Sequence, residues 1–261
     1  MYFMEDFVVE IVHEPPHSWQ DLELVVAKIL NQCGFDAERG KQISTVRGTV
    51  DIDVFAKDNN STPSSEYLIE CKYWNTDIPQ TVIHSFRTVV NDYGSQHGLI
   101  IAKKGFQSGA YEATKNSNIQ LLSWNEFLSL FEKRWLQNRI RSIHHTAKPL
   151  HIYTDPLDVS DYLDTLTKSE ISQYQKLCEE YIGYSIYSHE VTFGEIVSIS
   201  LSHKEQIDSI IQTAQKHFDD YSFINYTDFF ELIEQKCLEG IQLFEELFKN
   251  TDAKLHVQKY S

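Results

Sequence analysis

Two neighbouring runs of strand character constrain this chain more than anything else in it: Thr49–Ala56 and Glu66–Trp74. Both are short and apolar. The polar stretch Lys57–Ser65 between them, with its Asn, Ser and Pro, suits a hairpin connection. Yet the two runs carry Asp51, Asp53, Glu70 and Lys72. Side chains alternate across a strand, so Leu68, Glu70 and Lys72 share one face and Ile69, Cys71 and Tyr73 the other. Asp51 and Asp53 likewise share a face. An odd-sum register, with Asp53 opposite Glu70 or Lys72, brings all four charges together and leaves Val50, Ile52, Val54, Ile69 and Cys71 as core behind them. Charge beside such a core is costly unless it is paired or metal-bound.

The flanking pattern embeds this hairpin in an α/β layer. Ser18–Cys33 reads as a helix: Ser18 is a good N-cap, Trp19, Leu22, Val26 and Ile29/Leu30 recur at helical spacing, and Gly34 fits the C-terminal end. A helix begins at Pro79 and runs to about Tyr93 with Val82, Phe86 and Val89/Val90 on its apolar side. Gly98–Ala102 is a buried strand. Ser108–Asn116 is a short helix and Ile119–Trp124 a strand. Asn125–Ser142 is an amphipathic helix capped by Asn125, with Phe127, Leu128, Phe131 and Trp135 along one side. If residues 35–44 supply a first strand, the order is α-β-β-β-α-β-α-β-α, a mixed sheet flanked by helices.

The second half reads differently. His144–Pro149 looks like a linker. Residues 158–182, 203–218 and 227–249 have helical character, interrupted by a strand-like stretch, Val191–Ser200. This divides the chain into 1–145 and a mainly helical module, 150–261. Apolar stripes (Leu163, Leu166, Ile171 and Tyr174; Phe230, Ile233, Cys237, Ile241 and Phe244) make that module a candidate for assembly, as a homodimer or by docking a regulatory protein.

Composition narrows the class. With 41% hydrophobic and 23% charged residues, the 261-residue chain has the profile of an ordinary soluble protein. No apolar run approaches the ~18 residues that span a bilayer. The start, MYFMEDFVVEIVHEPPH, lacks the basic region and cleavage site of a signal peptide. Four scattered cysteines without a CxxC pair point to a reduced, cytoplasmic protein with neither zinc ribbon nor disulfide scaffold. The net charge of −15 is unfavourable for a protein that meets phosphates. It is unevenly spread, however. Residues 1–145 hold 14 Lys and Arg against 18 Asp and Glu, a net of −4, and residues 146–261 hold 9 against 20, a net of −11. Three basic sets lie in the first part: Arg39, Lys41 and Arg47; Lys103 and Lys104; Lys133, Arg134, Arg139 and Arg141.

The four hairpin charges have a use in phosphodiester hydrolysis, which needs a hard cation to polarise the phosphate and acidify a water. Mg²⁺ prefers carboxylate and carbonyl oxygens and keeps several waters. Asp53 and Glu70 fit as ligands, with the Cys71 carbonyl as a third. Lys72 would sit beside the water and the phosphate, to orient one or stabilise charge on the other. Asp51 is either a further ligand or a solvated neighbour. Lys103 and Gln107, just past the fourth strand, are candidates for contacts to the phosphate backbone.

At these residues the chain resembles the PD-(D/E)xK nucleases, and among them the Mrr-like restriction endonucleases. The matching pieces are WQDLELVVAKILNQCGFDAE, RGTVDIDVFA, YLIECKYW and HGLIIAKKGFQSGAYEATKNSNIQLLSW, in the family's order over residues 18–135. The resemblance implies an α-β-β-β-α-β core and Mg²⁺-dependent cleavage of DNA, with Mn²⁺ as a substitute. It places the acidic motif on Asp53, the ExK motif on Glu70 and Lys72, and the functional acid of the first helix on Glu23. It also implies restriction or antiviral defence. DNA repair or junction resolution, and a catalytically silent partner-binding scaffold, are the alternatives on the same fold. Many Mrr-like proteins have Gln where this chain has Glu70, and no DNA-reading winged helix is apparent. Other patterns fail: Gly34–Gln42 has the wrong spacing for a P-loop, and His13 and His17 are separated by two prolines that forbid a shared helix.

Overall fold

The computed structural model describes residues 11–12, 14–197, 203–218, 220–223 and 225–261. Residues 1–10, His13 and the last part of the strand-like stretch, 198–200, lie outside the described residues. The chain divides into two compact units, one of Ile11–Asn138 and one holding Arg139–Ser261, with the boundary inside a helix.

The first unit has the expected element order. Helix α1 (Trp19–Gln32) precedes strands β1 (Asp36–Thr45), β2 (Gly48–Asp58) and β3 (Ser65–Lys72). Helix α2 (Gln80–Tyr93), β4 (His97–Ala102), α3 (Ser108–Thr114), β5 (Ile119–Ser123) and the first half of α4 (Trp124–Thr154) follow. The sheet runs β1-β2-β3-β4-β5, antiparallel through β3 and parallel from β3 to β5. It is the mixed sheet flanked by helices that the sequence pattern implies. One face carries Leu68, Ile100 and Ala102 against Ile83, Phe86 and Val90 of α2 and Ala110 and Ala113 of α3. On α1, Leu22, Val26, Ile29 and Leu30 are buried, whereas Trp19 is exposed, so the apolar stripe begins one turn later than its spacing implies.

Helix ends follow side-chain chemistry. The Ser18 hydroxyl accepts from the Asp21 amide at 3.1 Å. Helix α4 is capped by Ser123 rather than Asn125: Ser123 donates its amide to Glu126 at 2.7 Å, and its hydroxyl accepts from the Glu126 amide at 3.3 Å, a reciprocal capping box.

Helix α4 also runs through the expected linker. His144–Pro149 is helical, and Pro149 lies within the helix. Proline removes one backbone hydrogen bond and crowds the preceding turn. The helix continues because Ile143, Ala147, Leu150 and Tyr153 form a buried stripe across that point. A second correction concerns Val191–Ser200. Its described part, 191–197, is helical and belongs to α6 (Lys168–Val197). The β-branched residues favour a strand, but Tyr181, Tyr184, Tyr187 and Val191 form a buried helical stripe that overrides local preference.

The second unit is helical among the described residues: the rest of α4, then α5 (Ser160–Leu163), α6, α7 (His203–His217), α8 (Tyr226–Leu247) and α9 (Ala253–Tyr260). Its core is aromatic. Tyr153 stacks on Phe244 with ring centroids 5.5 Å apart, and Tyr184 stacks on Phe218 at 4.5 Å. Helices α6 and α8 meet at Gly240, where an added Cβ would lie 2.7 Å from the Tyr181 ring. Most of the apolar stripes are consumed here: Tyr174, Phe230, Ile233, Cys237 and Phe244 are all buried. Among the described residues no helix is long and apolar enough to cross a membrane.

One ion pair ties α4 to the sheet of the first unit. Arg134 grips Asp58 with two bonds of 2.6 and 2.8 Å, donates to the Cys33 carbonyl at 2.8 Å, and lies 3.8 Å from the Phe35 ring centre. The hydrogen bond from Arg134 holds the Asp58 carboxyl below its ordinary value. A depressed carboxyl pKa contributes stability above the unfolded value, and that stability is lost as pH falls through the folded one. Asp58→Asn should therefore cost about 2 kcal/mol at pH 7, because it removes the charged partner of a half-buried guanidinium. The difference should shrink below about pH 4, where the unfolded carboxyl is protonated. Urea denaturation of both proteins at neutral pH and at about pH 3 measures it; an equal difference at both pH values contradicts the assignment.

Candidate active site

The hairpin register is odd-summed, with Val54 opposite Ile69 and Phe55 opposite Leu68. Continued by one residue, it sets Asp53 opposite Glu70, one of the two registers that the sequence allows. The ladder itself stops at Val54↔Ile69. Past that point the Cys71 amide donates to Asp53 Oδ2 at 2.7 Å, so a carboxylate receives a backbone hydrogen where the strands part. On the other side, β1 pairs with β2 on either side of Gly40 and Asp53 but not at them. Gly40 takes φ +65° there, a backbone turn that side chains other than glycine rarely adopt.

This break changes which residues share a face. Strict alternation puts Ile52 behind the charges. In the structure Ile52 packs in one cluster with Phe55 and Leu68, and with Val50 and Asp51 it lines the groove that also holds Glu70 and Lys72. The pleat is interrupted at Asp53, so Val50 and Ile52 become walls of the site instead of its floor.

The charges themselves are close and half-buried. Lys72 Nζ is hydrogen-bonded to Glu70 Oε1, and the two side chains are 17% and 22% exposed. Burial first, and then the negative charge of Asp53, push the Glu70 carboxyl above its ordinary value. Lys72 opposes that rise and Glu23 adds to it. Glu23 is buried on α1 and accepts from Arg39 Nε at 2.8 Å. The first helix thus delivers an acid to the same electrostatic neighbourhood, paired with an arginine that the sequence shows only as part of a basic set. Asp51 is exposed and accepts from Gln42 at 3.1 Å. The Cys71 thiol is buried and held well above its ordinary value by burial and by Asp53, Glu23 and Glu70, so this residue can serve a cation only through its backbone.

These donors suit a hard divalent cation. The charge of Asp53 raises the Glu70 carboxyl, and a cation would relieve that repulsion while finding oxygen ligands. Among the described residues no three His, Cys, Asp or Glu side chains gather around a metal position. The donors that could meet a cation here are two carboxylate side chains and a backbone carbonyl, all of them oxygen.

Lys103 and Gln107 are exposed at the same edge of the sheet. The Lys103 amide donates to the Lys72 carbonyl at 3.0 Å, which fixes it beside the ExK strand. Its ammonium lies 4.0 Å from the Tyr73 ring centre and donates to Asn75 at 3.0 Å. Gln107 precedes α3 without a side-chain bond to the helix, which leaves its amide group available to a ligand. The other basic residues are mostly engaged within the fold: Arg39 by Glu23, Arg47 by Asp92, Arg134 by Asp58 and Arg139 by Glu234. Trp74, two residues past Lys72, is 43% exposed and lines the groove. The sequence marks it only as the end of a strand.

Known proteins resemble the chain as follows. A family model described as restriction endonuclease, Mrr_cat, matches residues 16–131. Two solved structures align over parts of it. The protein of unknown function AF1548 is 16% identical, with a TM-score of 0.38 over 78% of this chain and 99% of that one. The DNA modification-dependent restriction endonuclease AspBHI is 7% identical, with a TM-score of 0.25 over 48% and 39%. No curated protein matches. The segment that matches the Mrr_cat restriction endonuclease model, residues 16–131, contains Glu23, Asp53, Glu70 and Lys72.

Proposed function

We propose that this chain is a Mg²⁺-dependent endodeoxyribonuclease of the restriction type that acts in defence against foreign DNA in the cytoplasm. The observation that carries the reading is the hairpin edge. Asp53 is oriented by the Cys71 amide, Glu70 is raised by burial and by Asp53, and Lys72 is held on Glu70. Asp53, Glu70 and the Cys71 carbonyl hold the cation, Mg²⁺ or Mn²⁺. When bound, it polarises the phosphate and acidifies a water. Lys72 exchanges Glu70 for the phosphate and stabilises negative charge on its oxygens. Glu23, oriented by Arg39, positions water near Glu70. Lys103 and Gln107 contact the DNA backbone on the neighbouring strand end. Residues 1–145 are the catalytic domain. The acidic module 150–261 mediates assembly, as a homodimer or with a regulatory protein. Phosphates repel it, and Leu157, Ile182, Ile186 and Leu255 leave apolar surface on it.

Lys72→Ala should reduce plasmid cleavage by about 10²- to 10³-fold, as removal of one charge-stabilising donor does, while its thermal unfolding stays within a few degrees of wild type. Wild-type cleavage by Lys72→Ala in Mg²⁺ would exclude the mechanism. Asp53→Asn and Glu70→Gln should lose cleavage and also the stabilisation against heat that added Mg²⁺ or Mn²⁺ gives the wild type.

The assembly role has its own test. Light scattering on the full chain should give a dimer or larger species, and Ile182→Glu with Ile186→Glu should shift it toward monomer. A wild-type chain that is monomeric at every concentration, and that retains no partner, argues against it.

A further inference from the structure

The groove beside Glu70 and Lys72 has a wall that phosphate does not need. Val50 and Ile52 of β2 face Val82, Phe86 and Val89 of α2 across it, and Trp74 stands at its mouth. Val82 and Val89 belong to the apolar stripe of α2 yet are only partly buried, because the core takes Ile83, Phe86 and Val90 instead. Trp74 is 43% exposed and makes no ring–ring contact among the described residues. The hydroxyl-bearing residues Thr81 and Ser85 line the same groove, exposed on the first turns of α2. That helix starts after Pro79 without a side-chain cap, and only its Val82 amide turns back, to the Pro79 carbonyl at 3.1 Å.

Such a lining discriminates between forms of DNA. A paired duplex presents sugar, phosphate and base edges, and hides the flat apolar faces of its bases. A base outside the stack presents two such faces, which aromatic side chains bind without regard to sequence. The groove, of about 410 Å³, is within the range of small-ligand sites and is contiguous with the carboxylates. On the reading that residues 16–131 cut DNA, we propose that this groove holds one unpaired nucleobase beside the scissile phosphate, stacked on Trp74. The favoured substrate is then DNA that is single-stranded or locally unpaired at the cut. A perfect duplex must first open that base, and the opening costs affinity.

The test reads binding separately from cleavage. Full-length Lys72→Ala protein in Mg²⁺ is titrated into three fluorescein-labelled oligonucleotides of one sequence: a single strand, a duplex with a short central mismatch bubble, and a perfect duplex. Anisotropy should show the first two bound about tenfold or more tighter than the third. Adding Trp74→Ala should collapse that ratio, and adding Trp74→Phe should keep most of it, with far-ultraviolet dichroism and melting unchanged in both. 2-Aminopurine at the unpaired position should change its emission on binding the Lys72→Ala protein and its Trp74→Phe derivative, where a ring is available to stack, but not on binding the Trp74→Ala derivative. Equal affinity for all three substrates, or a preference that survives Trp74→Ala, overturns the proposal. So does a change in sedimentation without a change in base preference, which would make the groove a contact between copies. The two readings fail separately. Wild-type cleavage of all three substrates at equal rates leaves the nuclease and removes the base site; a Trp74-dependent binding preference with no cleavage by wild type does the reverse.

Discussion

The site depends on the contact between Asp53 and the Cys71 amide. A strand pair that continued past Val54 and Ile69 would bury its backbone groups against each other and leave no room for a ligand. Here the ladder ends and a carboxylate takes the amide at 2.7 Å. The bond satisfies a donor that would otherwise be lost, and it fixes Asp53 next to Glu70. The repulsion that follows is expressed at Glu70, which is half-buried and feels the charge of two other acids. Lys72 and Arg39 each answer one of the glutamates. The site is thus a balance of opposed charges held by a well-packed sheet.

Much of this is legible in the sequence because strand alternation and residue chemistry agree. Glu70 and Lys72 have to share a face, and two acids opposite them have no structural purpose in an apolar hairpin. The element order of the first unit is readable for the same reason: each segment carries one clear period, and Ser18 marks a helix start without ambiguity. What strict alternation does not reveal is the break at Asp53. It lies across the ladder from Gly40, on a different strand, whose positive φ has no counterpart in the pattern of β2. Alternation therefore puts Ile52 on the wrong face. Arg39 is equally hidden, since its meaning comes from Glu23 on α1, sixteen residues away in sequence.

The second unit is less legible because its signals are non-local. Pro149 and the Val191–Val197 segment both argue locally against helix; a buried stripe passes through the first and reaches Val191 at the start of the second, and both are helical. Helical character alone runs one helix over 158–182; the structure instead ends α5 at Leu163 and starts α6 at Lys168, behind a capping box in which the Thr167 amide donates to Glu170 at 2.8 Å. The apolar stripes named from sequence are real. Their use is not apparent there, since a residue such as Phe244 packs on Tyr153 and Tyr174 rather than standing at the surface.

Charge and apolar surface thus play opposite parts in the first unit and at its edge. Most of its arginines are paired within the fold, so they stabilise the chain more than they attract DNA. Exposed Lys103 and Lys104 remain at the sheet edge beside the acidic site. A chain of net charge −15 gains little from long-range attraction. Its hold on a substrate has to come from short-range contacts instead. That is the setting in which one exposed indole beside Lys72 matters, because stacking is screened by salt far less than phosphate pairing is.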